Sequence, residues 1–170
     1  MSRPLRRLAL LLLPLCLLLL AAAPLRAAER PLCGTVTWVY DGDTLEVAGV
    51  GRVRLIGIDT PEKEAGDRDR SFRRLGADTR SLRRISGEAL RFNIAAAKGK
   101  TVVLEPDREP RDRYGRLLAY VRLPDGRLLN RLLLEQGYAV VYRRFDFRLK
   151  EEFLAAEAEA KRRGVGVWAK

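Results

Sequence analysis

The sequence contains no histidine among its 170 residues. This absence excludes catalytic triads built on histidine, histidine-ligated zinc sites and histidine as a general base. Any acid–base chemistry must therefore come from carboxylates, lysine, tyrosine or water. No internal repeat is present either, and the only low-complexity stretch is the apolar N-terminal segment.

Cysteine is scarce, and Cys16 and Cys33 are the two examples. Cys16 lies in the N-terminal segment that we expect to be removed, which leaves Cys33 without an internal disulfide partner. The exported domain must then owe its stability to packing rather than to cross-links. Because Cys33 lies in an apolar run typical of a strand, we expect it to be a small buried residue.

The N-terminal segment has the composition of a secretory signal peptide. Three arginines precede an apolar run over residues 8–23, and small residues follow at Ala27 and Ala28. The run of about 16 residues is shorter than the roughly 20 needed to span a bilayer, and Pro14 interrupts it. We predict a signal peptide at residues 1–28, cleavage near Ala27 or Ala28, and a secreted or periplasmic product. An uncleaved membrane anchor is the alternative.

Residues 29–170 have the length of a single domain with a substantial core. The chain carries 33 basic and 22 acidic residues, a net charge of +11. Since four of the basic residues and none of the acidic ones lie in residues 1–28, the remaining domain carries about +7. A surplus of this size attracts polyanions such as nucleic acid, and equally anionic membranes or surface polymers.

Hydrophobic patterning predicts a small barrel accompanied by helices. We predict strands at 34–40, 44–47, 53–58, 101–104 and 117–123. We predict helices at 79–98, in a leucine-rich segment before Gly137, and from a cap at Asp146 to Gly164. Five short strands, with a helix inserted after the third, favour an α+β (mainly β) fold: a five-stranded OB-type barrel with about three helices.

Two carboxylates, Asp43 and Asp59, lie at the ends of predicted strands. Asp41-Gly42 alone reads as a hairpin turn, and Asp59 alone reads as an ordinary strand end. A barrel can bring both carboxylates together, however, and a divalent cation would relieve their repulsion. All-oxygen ligation favours Ca²⁺ or Mg²⁺ over zinc, with the carbonyl of Thr60 as a third ligand.

Most of the arginines are expected to lie on a solvated face, but Arg54 and Arg116 are candidates for binding phosphate. Arg54 lies inside an apolar strand, and Arg116 follows a Tyr-Gly turn. A guanidinium held against a barrel can bind phosphate oxygens and neutralise the charge that develops during attack on phosphorus. Arg54 and Asp59 are five residues apart, on opposite faces of a regular strand, unless Gly57 marks a bulge or Asp59 already lies in the loop.

Glu62 follows Pro61 and, taken alone, reads as an exposed loop glutamate. Beside a metal ion and a phosphate, the same carboxylate can orient and deprotonate water. In a chain without histidine, Glu62 is therefore the leading candidate for the general base.

Three segments together resemble the staphylococcal (micrococcal) nuclease, or thermonuclease, family over residues 34–168. They are Asp41-Gly42-Asp43-Thr44, Arg54 with Asp59-Thr60-Pro61-Glu62 five residues later, and Asp112-Arg113-Tyr114-Gly115-Arg116. The resemblance implies a small barrel with helices, Ca²⁺ dependence, and cleavage of DNA and RNA to leave 3′-phosphate ends. The implied calcium ligands are Asp43, Asp59 and the carbonyl of Thr60. The implied catalytic residues are Arg54 and Arg116, which hold the scissile phosphate, and Glu62, which activates water.

The resemblance also implies substrate contacts outside the catalytic centre. Arg113 and Tyr114 would contact the terminal phosphate, although Arg113 stands where the family often has lysine. Tyr142 is one residue out of register with a base-stacking aromatic of the family, and Phe145 stands where a tyrosine is expected. The stretch 63–84 is longer than in the best-known members; it is either a solvated loop or an extra phosphate-contacting arm.

The function predicted from these residues is an exported Ca²⁺-dependent endonuclease of low sequence specificity. We expect it to act as a monomer on DNA and RNA, without stable membrane association after cleavage. The alternative is a non-catalytic OB-fold module of the envelope that holds nucleic acid without cutting it. A structural envelope protein that binds anionic polymers would explain the leader and the charge, but not the coincidence of Asp43, Asp59, Glu62, Arg54 and Arg116 in one chain.

Overall fold

The computed structural model describes residues 31–169, so the predicted signal peptide lies outside the described residues. The strands are β1 (Leu32–Val39), β2 (Thr44–Val47), β3 (Gly51–Leu55), β4 (Ile58–Asp59), β5 (Thr101–Arg111), β6 (Leu117–Arg122) and β7 (Val140–Val141). The helices are α1 (Asp69–Arg73), α2 (Thr79–Ala97), α3 (Leu129–Glu135) and α4 (Lys150–Arg163), followed by a 3₁₀ turn (Gly166–Trp168). None of the helices within 31–169 is both long and apolar enough to cross a membrane.

Five strands close into a barrel in the order β1-β2-β3-β6-β5. The pairs are antiparallel except β3 with β6, which run parallel. Alternation along each strand sends Leu45, Val53 and Val102 into a core from which solvent is excluded. This architecture confirms the predicted α+β fold with a five-stranded OB-type barrel.

The structure refines the predicted elements in three places. The strand predicted over 53–58 breaks after Leu55, and its continuation, β4, leaves the barrel to pair with β7. The fifth strand in chain order runs to Arg111 rather than ending at Leu104. A fourth helix, α1, lies in the segment 63–84, where the pattern favoured a solvated loop.

Helix α2 begins at Thr79, as predicted, and Asp78 caps its first turn. The Asp78 carboxylate accepts hydrogen bonds from the backbone N–H groups of Arg80 and Ser81, which would otherwise lack partners in the first helical turn. Ala89, on the inner face of α2, joins the barrel core. Leu82 and Ile85, one to two turns earlier, belong to a second apolar cluster with residues from α1, β7 and the 3₁₀ turn.

Two smaller predictions were wrong. Asp146 does not cap the last helix: α4 begins at Lys150, and Asp146 forms an exposed ion pair with Lys150 at 3.6 Å. Cys33 is exposed rather than buried. It lies three residues before the buried Val36, and an odd spacing on a strand places two side chains on opposite faces.

Candidate active site

Strands β2 and β3 present polar side chains on the outer surface of the barrel. Thr44 and Arg54 are direct partners in the antiparallel register of this pair, and their neighbours Leu45 and Val53 point inward. Alternation therefore places the Arg54 guanidinium outside the core, beside the turn that connects β1 to β2 and carries Asp43.

The Arg54 guanidinium lies between two carboxylates. Its Nη1 is 2.7 Å from Asp43 Oδ2, and its Nη2 donates a hydrogen bond to Asp59 Oδ1 at 3.2 Å. Arg54 and Asp59 can lie on the same side although they are five residues apart, because the strand is interrupted between β3 and β4. Gly57, in this interruption, adopts a positive φ of 79°. A Cβ atom at Gly57 would also lie 2.6 Å from the ring of Phe147, so both backbone conformation and space require glycine.

Asp43 is held in place by three further contacts. Its Oδ2 accepts hydrogen bonds from the backbone N–H and the hydroxyl of Thr60, at 3.2 and 3.0 Å. Its Oδ1 accepts from the Thr44 hydroxyl at 3.1 Å. The carboxylate is almost completely buried, so these donors satisfy oxygens that have little access to water.

The turn that carries Asp43 packs against helix α2. The buried amide of Asn93 donates hydrogen bonds to the backbone carbonyls of Asp41 and Gly42, at 3.3 and 2.8 Å. Gly42 approaches Thr60 and Ala89 so closely that a Cβ atom would lie within 2.8 Å of both side chains. Asn93 and Gly42 thus fix the position of the Asp43 carboxylate without touching the outer surface.

Strand β4 carries Asp59 and is fixed by β7. Asp59 pairs with Val140 in the register, and Ile58 pairs with Val141. The buried Glu157 of α4 accepts a hydrogen bond from the backbone N–H of Val141 at 2.7 Å and forms an ion pair with Arg143. This contact ties the short β4–β7 sheet to the last helix.

Several carboxyl groups lie close together at this site. Burial raises the pKa of Asp59 to about 6, and the charges of Asp43 and Glu62 add to the shift, against the opposing effect of Arg54. Burial and the neighbouring Asp43 raise the pKa of Asp41 to about 6 as well. The arrangement is suited to a cation that would neutralise the carboxylates.

The donor set fits a hard divalent cation in part. Asp43 and Asp59 offer carboxylate oxygens, and Thr60 follows directly with its backbone carbonyl, all ligand types that Ca²⁺ prefers. Within residues 31–169, no group of three or more acidic, cysteine or histidine side chains is arranged to hold a metal. Water and substrate oxygens would have to complete the shell of an ion bound here.

Arg116 reaches the same site from the start of β6. Its backbone N–H and Nε both donate to the Asp112 carboxylate, at 3.0 and 2.8 Å, which holds the side chain against the turn. Its Nη1 lies 3.5 Å from the Thr44 hydroxyl, which in turn donates to Asp43. Arg116 therefore approaches Asp43 through Thr44, on the surface of the barrel where Arg54 lies between the two carboxylates.

Glu62 directly precedes the segment 63–84, and its charge acts on Asp59. It forms an ion pair with Arg68, a residue that the sequence reasoning did not single out. The contact with Glu62 raises the pKa of the Arg68 guanidinium, and the charges of Asp59 and Asp43 add to this shift. Arg68 is thus a third arginine at the site.

The segment 63–84 is anchored rather than free. Phe72 of α1 is 1% exposed and packs into the second apolar cluster with Leu82 and Ile85. The buried Asp69 forms an ion pair with Arg83 at 2.6 Å. Both contacts tie α1 to α2 and place Arg68, the residue before α1, next to Glu62.

The residues predicted to contact substrate lie at two places. Tyr114 is largely exposed; the guanidinium groups of Arg113 and Arg116 lie 4.8 and 5.5 Å from its ring centre. Tyr142 follows β7, and its backbone N–H donates to the carbonyl of Gly57 at 2.9 Å. The Tyr142 ring lies 5.3 Å from that of Phe145, so the two aromatics form one surface near β4.

Residues 52–170 match the family model described as staphylococcal nuclease homologue. The chain belongs to this family. Curated relatives include a thermonuclease of Staphylococcus intermedius, which is 35% identical over 136 residues covering 76% of this chain and 72% of the relative. An uncharacterized endonuclease of Escherichia coli O157:H7 is 33% identical over 135 residues, 78% of this chain and 75% of the relative. An uncharacterized protein of Methanocaldococcus jannaschii is 39% identical over 147 residues, which cover 79% of this chain and 70% of the relative.

The family match covers most of the site but not all of it. It includes Arg54, Asp59, Glu62 and Arg116, whereas Asp43 precedes its first residue. The contact of Arg54 with both Asp43 and Asp59 joins the matched region to the turn that precedes it. The spatial site in this family member therefore extends beyond the matched segment.

Proposed function

We propose that this member of the staphylococcal nuclease homologue family is a Ca²⁺-dependent nuclease that hydrolyses DNA and RNA with low sequence specificity. The observation that carries the proposal is the bridging position of Arg54 between Asp43 and Asp59, with Arg116 and Glu62 beside them. The names of the thermonuclease and endonuclease relatives support the same activity.

In the proposed reaction, Glu62 accepts a proton from water while the water oxygen attacks phosphorus and forms a new P–O bond. The P–O bond to the 5′ oxygen breaks, that oxygen takes a proton from solvent, and a 3′-phosphate remains. Arg54 and Arg116 neutralise the charge that develops on the phosphoryl oxygens. Calcium, when bound by Asp43, Asp59 and the Thr60 carbonyl, supplies additional positive charge beside the phosphate.

Substrate selection follows from the chemistry of these contacts. The arginines would bind phosphate oxygens, which every nucleotide carries, so we expect low sequence specificity and strong salt dependence. Arg113 and Tyr114 would contact a terminal phosphate, and Tyr142 with Phe145 would stack on a base. This arrangement accommodates both DNA and RNA.

The experiment that tests the proposal is digestion of end-labelled single-stranded DNA and RNA by the purified protein, with calcium or with a calcium chelator. Calcium-dependent shortening with 3′-phosphate ends is the expected result. Binding of both polynucleotides without shortening, at ample calcium, would instead identify a nucleic-acid-binding module. Equal cleavage with chelator would refute the calcium requirement.

Export is part of the proposal, and it depends on residues 1–28, outside the described part of the chain. The domain would act as a monomer in the periplasm or the medium, without a stable membrane association. Cell fractionation of the tagged full chain tests this, together with mass determination of the mature N-terminus. Processing near Ala27 or Ala28 is expected, whereas an intact N-terminus in the membrane fraction would contradict it.

A further inference from the structure

Two exposed aromatic side chains stand side by side on the outer surface of β1 and the turn after it. Trp38 is 54% exposed and Tyr40 is 41% exposed, both unusually open for large apolar rings. They are two residues apart, so they share one face of the strand, opposite the buried Val39. Neither ring belongs to the site built around Asp43 and Asp59.

One cation, from a different element in each case, lies over one face of each ring. The Lys98 ammonium, at the end of α2, lies 4.5 Å from the centre of the Trp38 ring. The Arg52 guanidinium, on β3, lies 4.7 Å from the centre of the Tyr40 ring. We refer to these four residues as the aromatic–basic patch. An acidic residue beside the patch, Glu46, accepts a hydrogen bond from the Tyr40 hydroxyl at 2.9 Å.

The aromatic–basic patch is continuous with the candidate active site. In the register of β2 with β3, Glu46 pairs with Arg52 and Thr44 pairs with Arg54. Arg52 and Arg54 therefore lie on the same outer face of β3, about 7 Å apart along the strand. The backbone N–H of Tyr40 donates to the carbonyl of Thr44 at 3.0 Å, so the turn that carries Asp43 lies between the two places.

We propose that the aromatic–basic patch is a binding subsite for single-stranded nucleic acid, where bases beyond the scissile phosphate stack on Trp38 and Tyr40 while Lys98 and Arg52 contact phosphates. This subsite rests on the proposed nuclease function, in which a nucleic-acid strand binds across Arg54. Exposed rings beside cations are the combination that sequence-independent single-strand binders use. A duplex keeps its bases stacked on each other, so it cannot use the rings in this way.

The first test detects binding without requiring cleavage. The chain has two tryptophans, so Trp168→Phe leaves Trp38 as the only tryptophan emitter. Adding a 12-nucleotide DNA or RNA strand in the presence of a calcium chelator should quench the Trp38 emission, and high salt should reverse the quenching. A duplex of the same length should quench much less. An unchanged emission with either single strand would overturn the subsite, even if the protein proves to be an active nuclease.

The second test separates the subsite from the catalytic centre. The double substitution Trp38→Ala, Tyr40→Ala should raise KM for a 12-nucleotide strand by about 10-fold or more, because two stacking contacts are lost. The KM for a minimal substrate with one phosphodiester bond should stay within about twofold. Equal losses on both substrates would assign the two rings to the fold or to the catalytic centre and refute the subsite.

A matched pair of lysines provides the control. Lys161 also lies over a tryptophan ring, that of Trp168, at 5.6 Å, but on the last helix. Lys98→Ala should weaken binding of the long strand and reduce its salt dependence, whereas Lys161→Ala should change neither. If no substrate is cleaved at all, the proposed nuclease function fails, and the fluorescence titration still decides the subsite.

Discussion

Arg68 forms an ion pair with Glu62, the side chain proposed to activate water. The arginine comes from the segment 63–84, and its position depends on the docking of α1 against α2. A carboxylate paired in this way is held in place before substrate binds. A phosphate ester would compete with Glu62 for the Arg68 guanidinium and thereby free the carboxylate to accept a proton.

We predict that Arg68→Ala raises KM for single-stranded DNA by about 10-fold and changes kcat by less than about threefold, because one phosphate contact is lost while Glu62 remains. The slope of the logarithm of the binding constant against the logarithm of the salt concentration should become shallower by about one, as expected for the loss of one phosphate contact. Arg70→Ala is the matched control, since Arg70 pairs with the exposed Asp67 at 3.0 Å. Steady-state kinetics at several salt concentrations measure both effects, and an equal loss in the two variants would contradict the assignment.

The docking of α1 makes a separate prediction about stability. Phe72→Ala should lower the free energy of unfolding by about 3–5 kcal/mol, since it leaves a cavity in the second apolar cluster. Leu75 is exposed in the turn before α2, so Leu75→Ala should lower the free energy of unfolding by less than about 0.5 kcal/mol. Urea unfolding gives both values. If Phe72→Ala unfolds like the unsubstituted protein, the segment 63–84 is not anchored as described.

The calcium proposal can be tested without an activity assay. Binding of Ca²⁺ to the native state should raise the melting temperature in proportion to the logarithm of its concentration, because the unfolded chain lacks the site. Asp43→Ala should abolish this increase, whereas Glu64→Gln, an exposed acidic residue near Glu62, should retain it. If calcium does not change the melting temperature of the unsubstituted protein, the proposed calcium site is refuted.

Asn93 makes a prediction about positioning rather than contact. Its amide holds the turn that carries Asp43, so Asn93→Ala should raise the calcium concentration needed for half-maximal activity by about 10- to 100-fold. At saturating calcium, kcat should recover to a large part of its original value. The control is Ile94→Ala, an exposed neighbour on the same helix, which should not shift the calcium dependence. A loss of kcat that calcium cannot restore would contradict a positioning role.

Local sequence patterns predicted the five-stranded barrel, and together with the family resemblance they singled out the residues of the candidate site. The start of α2 at Thr79 and the interruption of the strand at Gly57 follow from rules that act within a few residues. The five charged residues singled out in the sequence lie in three short segments, and the barrel brings these segments to one surface. The roles of those residues remain predictions, which the experiments above address.

Features that depend on long-range packing could not be predicted in this way. Arg68 is one arginine among many, and only the docking of α1 places it beside Glu62. Asn93 lies 52 residues from Asp41 in the chain, so no local pattern relates its amide to that turn. Cys33 was predicted wrongly for a local reason: it was expected to be buried because its neighbours are apolar, but the strand alternation that starts from Val36 turns it outward.

The most direct test of the central claim is the single-turnover cleavage rate of end-labelled single-stranded DNA at saturating calcium, compared between the unsubstituted protein and Glu62→Gln. The substitution keeps the shape of the side chain and removes its basicity, so the rate should fall by about 10²-fold or more. Arg116→Gly should lower the rate by about 10²–10³-fold, since it removes a group that stabilises developing charge. Rates in both variants close to that of the unsubstituted protein would contradict the proposed roles of Glu62 and Arg116.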